Sequence, residues 1–143
     1  MADRPKLLAV DDRPENLLAL RMVLADLDVE IIEASSGNAA LTATLSHDFA
    51  VAILDVQMPG MDGFELAALL RGDPKTSSLP IIFLTATCRE EEQIFEGYDA
   101  GAVDYIVKPY SPQVLRSKVV VFLELHRRSV ALTEKYLSGG HRC

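Results

Sequence analysis

The chain has 143 residues, of which 49% are hydrophobic and 24% are charged, a composition ordinary for a single globular domain. Its formal net charge of -7 argues against a basic surface that would bind nucleic acid directly, and no stretch approaches the ~20 apolar residues of a membrane span. The N-terminus lacks the apolar segment of a secretory signal, and Cys88 and Cys143 form no C-x-x-C pair, so we expect a reduced, cytoplasmic location.

Two alternating patterns of apolar residues predict the fold class. Short apolar runs predict strands over residues 6–10, 29–34, 51–54, 80–85 and 103–107. Between them, apolar residues at spacings of three and four predict helices, with start signals at Pro14, at Ser35 or Ser36, and at Ser111 and Pro112. Strands that are apolar nearly throughout are typical of a parallel sheet covered by helices on both faces, so we predict an α/β fold.

Polar side chains follow four of the five predicted strands. Asp11 and Asp12 follow the first strand and Asp55 the third, while Thr85 ends the fourth and Lys108 follows the fifth. Ligands of such sheets bind at the carboxyl ends of the strands, so these side chains should meet at one edge. Three adjacent carboxylates repel one another, and a hard divalent cation such as Mg²⁺ relieves that repulsion.

The same set of side chains suits a phosphoryl group. A dianionic phosphoryl group would lie between Mg²⁺ and the ammonium of Lys108, with the Thr85 hydroxyl donating to it. Asp55 is then the candidate nucleophile, since an aspartate can form an acyl phosphate. Catalysis would consist mainly of positioning and charge neutralisation.

Four motifs resemble the receiver domain of two-component response regulators. They are the acid pair Asp11-Asp12, Asp55 with the sequence MPGMDG at residues 58–63, the pair Thr85-Ala86, and YIVKP at residues 105–109. The resemblance spans about residues 6–128. It implies a flavodoxin-like, doubly wound, five-stranded parallel sheet of order 2-1-3-4-5 with five helices. We therefore expect a receiver domain over residues 1–128.

The resemblance also implies roles for individual residues. Asp55 would be phosphorylated by a histidine kinase or a phosphotransfer protein. Asp12, Asp55 and the backbone carbonyl of Gln57 would hold Mg²⁺, and Asp11 would hold it directly or through water. Lys108 would contact the phosphoryl group, and the bond between Lys108 and Pro109 would be cis.

Four positions relate to signal relay and phosphoryl lifetime in the family. Thr85 and Tyr105 match a pair that relays phosphorylation to the face built from the fourth helix, the fifth strand and the fifth helix. Gln57 and Thr87 flank the path of the hydrolytic water, and neither is a carboxylate, so the resemblance implies slow hydrolysis.

Each of these side chains also has an ordinary structural interpretation. Asp11 and Asp12 would be loop or helix-capping acids before the Pro14 helix, Lys108 a solvated lysine, and Tyr105 a packing residue of its strand.

A Mg²⁺-dependent aspartyl-phosphate phosphohydrolase is the alternative function. Such an enzyme needs a general acid two residues after the nucleophile, and that position holds Gln57. Neither nucleotide-binding glycine motif occurs either. We therefore expect a phosphoacceptor switch and not an enzyme.

The last part of the chain, residues 129–143, predicts a helical extension or a linker to an output domain. The residues at alternating three and four spacing are Phe122, Leu125, Ser129, Leu132 and Tyr136. They predict either a short seam that pairs two copies in a homodimer or an amphipathic end that packs on its own domain. We expect an output domain fused downstream or on a separate protein, because no effector domain fits after Arg128.

Overall fold

The computed structural model describes residues 4–86 and 103–140 of the protein. The elements in chain order are β1 (Lys6–Val10), α1 (Pro14–Val23), β2 (Glu30–Ala34), α2 (Gly37–Ser46), β3 (Val51–Asp55), α3 (Gly63–Arg71), β4 (Ile81–Thr85), β5 (Val103–Val107) and α4 (Pro112–Gly140). The helix predicted between the fourth and fifth strands falls on residues 87–102 and so lies outside the described residues, as does Thr87.

The strands form one parallel sheet of order β2-β1-β3-β4-β5. The predicted flavodoxin-like fold and strand order are confirmed. The strand limits differ slightly from the predicted ones: β2 and β4 begin one residue later, and β3 continues through Asp55. Asp55 is therefore part of the sheet, paired in register with Leu84 of β4.

Local signals at the helix starts act as the sequence predicted. Pro14 is the first residue of α1, where its missing N–H costs no hydrogen bond. Ser36 precedes α2, and its hydroxyl accepts a hydrogen bond of 3.0 Å from the Ala39 N–H. Ser111 precedes α4 in the same way.

Helices cover both faces of the sheet, which explains why the central strands are apolar throughout. On one face α1 and α4 pack through Leu20, Leu115 and Val119, and on the other α2 and α3 pack through Ala40 and Leu66. The residues of β3 and β4 are all buried. The polar ends of these strands therefore lie at the border between core and solvent.

The turn between β3 and α3 brings the helix close to the end of β3. Asp62 caps α3 in a reciprocal arrangement with Glu65. Gly63, the first residue of α3, donates its N–H to the Val56 carbonyl over 3.0 Å. A Cβ on Gly63 would stand 2.5 Å from the Asp55 carbonyl oxygen, so only glycine fits this approach.

The C-terminal helix α4 continues beyond Leu123, the last core residue among its described side chains, which end at residue 132. The residues of the predicted seam differ in their burial. Phe122 packs partly against the core, whereas Leu125 and Leu132 are 53% and 68% exposed and Ser129 is also exposed. The side chain of Tyr136 lies outside the described part of the chain.

Candidate functional site

Three carboxylates meet at the carboxyl ends of β1 and β3. One oxygen from each of Asp11, Asp12 and Asp55 lies within 4.8 Å of the other two. Asp11 and Asp55 are only 1% and 3% exposed, while Asp12 is half-buried. The structure thus brings together the three acids that the sequence placed at strand ends, and we call them the acid cluster.

Lys108 supplies the positive charge beside the acid cluster. Its Nζ donates to Asp55 Oδ1 over 2.7 Å and lies 4.0 Å from Asp11 Oδ2. The lysine follows β5 directly, and its backbone N–H donates to the Thr85 carbonyl over 2.8 Å. The Lys108–Pro109 peptide bond is cis.

Asp11 has one carboxylate oxygen satisfied and one oxygen without a hydrogen bond. Oδ1 accepts from the Arg13 N–H over 2.9 Å. Oδ2 is buried and has no hydrogen-bond partner within residues 4–86 and 103–140. A buried carboxylate oxygen of this kind is costly unless a cation or donor meets it. With three hard oxygen donors so close together, the residues present fit a Mg²⁺ ion.

The pKa of the Asp55 carboxyl is raised above its ordinary value of 3.8. Burial is the largest cause, because it disfavours the charged form. The hydrogen bond from Lys108 opposes this shift, and the charges of Asp11 and Asp12 add to it. The nucleophile candidate is therefore held in a site that favours neutralisation of its charge.

Thr85 lies on β4, which is next to β3, and Tyr105 lies on β5, the strand on the other side of β4. Thr85 is buried at the last position of β4, and its register partner on β5 is Val107. The half-buried Tyr105 ring stacks on Phe83, with ring centroids 5.3 Å apart and an interplanar angle of 22°. Phe83 in turn packs against Phe64 of α3, with ring centroids 4.8 Å apart. Tyr105 is thus connected by aromatic contacts to the helix that follows Asp55.

Gln57 lies two residues beyond Asp55 with an exposed side chain. Its Oε1 accepts a hydrogen bond of 3.3 Å from the Ala86 N–H, just past the end of β4. No sequence signal predicts this contact, because the donor is a backbone group after β4 and the acceptor is a side chain after β3.

Tyr110 is a residue of the site that the sequence did not single out. Together with Asp11, Asn16, Lys108 and Pro109 it lines a cavity of about 440 Å³ beside the acid cluster. Burial and the charge of Asp11 raise the pKa of its hydroxyl, so Tyr110 stays neutral. Its position directly after the Lys-Pro pair is the only sequence signal that could have identified it.

The rest of the described surface offers no membrane-spanning element: no helix in that part of the chain combines the length and the apolar character needed to cross a bilayer.

The chain is similar to known proteins in sequence and in structure. A family model described as the response regulator receiver domain matches residues 7–120. The transcriptional regulatory protein SrrA of Staphylococcus aureus is 41% identical over 118 residues, which are 81% of this chain and 47% of SrrA. The chain thus spans about half the length of the curated relatives it matches.

Solved structures agree with the family match. A putative response regulator from Chloroflexus aurantiacus has a TM-score of 0.75 at 37% identity, covering 85% of this chain and 98% of that one. The chemotaxis protein CheY4 of Vibrio cholerae has a TM-score of 0.75 at 31% identity, covering 83% and 98%.

Proposed function

The chain belongs to the response regulator receiver domain family, and on this premise we propose that it is a phosphoacceptor switch whose phosphorylated residue is Asp55. The observation that carries the proposal is the placement of the Asp55 carboxylate, which is buried at the end of β3 within 2.7 Å of Lys108 and beside two further acids. A surface aspartate without function would have neither the burial nor the partners.

The proposed reaction transfers a phosphoryl group from a phosphohistidine to Asp55. A carboxylate oxygen of Asp55 attacks phosphorus, an O–P bond forms, and the N–P bond breaks with its electron pair returning to the imidazole of the partner. Lys108 donates to Asp55 beforehand and can turn to the phosphoryl oxygens afterwards, because its ammonium has three donors on a flexible stem. Lys108 thereby neutralises charge at both stages.

Asp11, Asp12, Asp55 and the backbone carbonyl of Gln57 would hold Mg²⁺ in this proposal. The ion supplies charge neutralisation for a group that must approach three carboxylates. The buried Oδ2 of Asp11 supports this assignment, since it accepts no hydrogen bond within the described part of the chain and Lys108 Nζ lies 4.0 Å away.

The signal would pass through Thr85 and Tyr105. We propose that the Thr85 hydroxyl moves toward the phosphoryl oxygens and that Tyr105 shifts in response, which changes the surface near β5 and α4. The stacking of Tyr105 on Phe83 supports a packed position for the ring, since Phe83 lies two residues before Thr85 on β4.

A switch fits the site better than a phosphohydrolase does. The hydrolase alternative needs a carboxylic acid two residues after the nucleophile, and Gln57 is an amide whose oxygen is engaged with the Ala86 N–H. Receiver domains of this family are signalling switches in general, and the described residues supply no group in that position to protonate a leaving alcohol.

The partners are proposed from the same premise. They are a histidine kinase or a phosphotransfer protein as phosphodonor, a second copy of the chain in a homodimer, and an output domain fused downstream or on a separate protein. We also propose a cytoplasmic location, where such phosphodonors are found. We propose no direct contact with nucleic acid, because the net charge of -7 argues against a basic binding surface.

Intact-mass spectrometry tests the proposed function directly. With Mg²⁺ and a small-molecule phosphodonor, the protein should gain one phosphoryl group, and Asp55→Asn should prevent the gain. Asp28→Asn makes the same chemical change at an exposed aspartate and should leave labelling intact. Equal labelling of wild type and Asp55→Asn would overturn the assignment.

A further inference from the structure

The hydrogen-bond ladder between β3 and β4 stops one rung early. Val56 donates to the Leu84 carbonyl over 2.9 Å, as Ala52 does to the Pro80 carbonyl, also over 2.9 Å. A regular parallel ladder would next join the Ala86 N–H to the Val56 carbonyl. That carbonyl instead accepts from the Gly63 N–H over 3.0 Å. The start of α3 thus occupies the acceptor that Ala86 would have used.

The Ala86 N–H is held in a fixed direction even so. It shares a planar peptide unit with the Thr85 carbonyl, which accepts from the Lys108 N–H on the β5 side over 2.8 Å. In a trans peptide the N–H points opposite to the C=O. The donor therefore points toward β3, at the level where Asp55 ends that strand.

The Gln57 side chain covers this donor. Its Oε1 lies 3.3 Å from the Ala86 nitrogen, which is long for an N–H···O bond. The residue is exposed, so its side chain can leave without opening a cavity. A charged phosphoryl oxygen is a stronger acceptor than an amide oxygen, so the exchange would be favourable.

We propose that the Gln57 amide is a displaceable cap on the Ala86 N–H and that it competes with the phosphoryl group on Asp55 for this donor. The inference rests on the proposed function, because it assumes that a phosphoryl group forms on Asp55. It assigns the Gln57 side chain a positioning role that is separate from the metal-binding role proposed for its backbone carbonyl. Gln57 thereby lowers the affinity of the unphosphorylated site for a tetrahedral anion.

Beryllofluoride, which forms a tetrahedral acyl phosphate mimic on a carboxylate, is the probe. Gln57→Met keeps the length of the side chain but removes the acceptor. With saturating Mg²⁺, the full chain carrying Gln57→Met should bind beryllofluoride about two- to threefold more tightly than wild type, the effect expected for one weak hydrogen bond. Gln113→Met makes the same change at another exposed glutamine and should bind as wild type does.

Hydrogen exchange of the Ala86 amide, compared with exchange of other amides in β4, reports on this one hydrogen bond. Without beryllofluoride, exchange at Ala86 should be faster in Gln57→Met than in wild type. Gln57→Glu should restore protection, because its carboxylate is again an acceptor of the same reach. Bound beryllofluoride should protect Ala86 equally in wild type and Gln57→Met.

The outcomes separate the two levels of the proposal. Equal beryllofluoride affinities together with unchanged Ala86 exchange would overturn the capping role of Gln57 and leave the phosphoacceptor function intact. Failure of wild type and both methionine variants to bind the probe would overturn the proposed function and the cap with it.

Discussion

Replacing Asp55 by Asn should make the Mg²⁺-free protein more stable at pH 7, although the change breaks an ion pair. At an effective dielectric constant of about 20, the attraction between Asp55 and Lys108 at 2.7 Å is about 6 kcal/mol. Repulsion from Asp11 and Asp12, each within 4.8 Å, is at least about 3 kcal/mol per pair, so the two pairs together offset that attraction. The cost of burying the Asp55 charge then decides the sign.

The expected gain is about 1–2 kcal/mol, which is about 3–6 °C in melting temperature for a domain of this size. Asparagine keeps an oxygen that can accept from Lys108, so the variant loses charge without leaving the ammonium unpartnered. Asp28→Asn is the matched control, because it removes the same charge at an exposed position and should change stability by less than about 0.5 kcal/mol.

The pH dependence follows from the raised pKa of Asp55. The folded protein binds the Asp55 proton more tightly than the unfolded chain does, so the carboxyl contributes most to stability below its ordinary pKa of 3.8. That contribution is lost as the pH rises through the higher pKa of the folded state. The advantage of Asp55→Asn should therefore be present at neutral pH and disappear on acidification.

Thermal unfolding at several pH values, with EDTA or with Mg²⁺, measures these effects. Mg²⁺ at about ten times its Kd would stabilise wild type by about 1.4 kcal/mol and should close the gap, because the variant has lost one ligand. An Asn variant that is less stable than wild type at pH 7 in EDTA would refute the reasoning. A gap that persists unchanged at low pH would do so as well.

Gly63→Ala should destabilise the protein by about 1–3 kcal/mol in chemical denaturation, because its Cβ would stand 2.5 Å from the Asp55 carbonyl oxygen. Gly72→Ala meets only an ordinary contact at 3.5 Å, and equal losses in both variants would contradict this. The acyl phosphate on Asp55 should have a half-life of minutes or longer, since neither Gln57 nor Thr87 has a carboxylate that could act as a base. A half-life of a second or two in a dephosphorylation assay would contradict this prediction. The full chain should sediment as a larger species than a chain ending at Arg128, most clearly when phosphorylated, because apolar side chains of α4 stay exposed beyond the core. Identical monomeric sedimentation of both chains, with and without phosphodonor, would make the extension a packed tail.

Much of the fold could be predicted because the determining signals are local. The strands are short, mostly apolar runs because both faces of the sheet are covered, and their length of about five residues favours strands over helices. The acids and Lys108 could be placed together because parallel strands end at a common edge. Ser36 and Pro14 needed only their neighbours to define a helix start.

The details that were missed depend on packing between distant segments. The Gln57 contact requires the register of β3 with β4 and the approach of Gly63 to Val56. The predicted seam on α4 was only partly informative, because helical spacing does not fix which side of a helix faces the core. Phe122 turned out to pack on its own domain.

The position of Asp55 joins stability to function through electrostatics. As the last residue of a buried strand, it cannot move away from Asp11 and Asp12 without disturbing the sheet, so repulsion within the acid cluster is retained in the folded protein. Anything that brings positive charge to the cluster is then bound more tightly than it would be at an exposed acid. Lys108 supplies part of that charge but must divide it between Asp55 and Asp11. The negative charge that Lys108 leaves unneutralised gives the site its preference for a divalent cation. A cation bound there would lower the barrier for a dianionic phosphoryl group to approach a carboxylate.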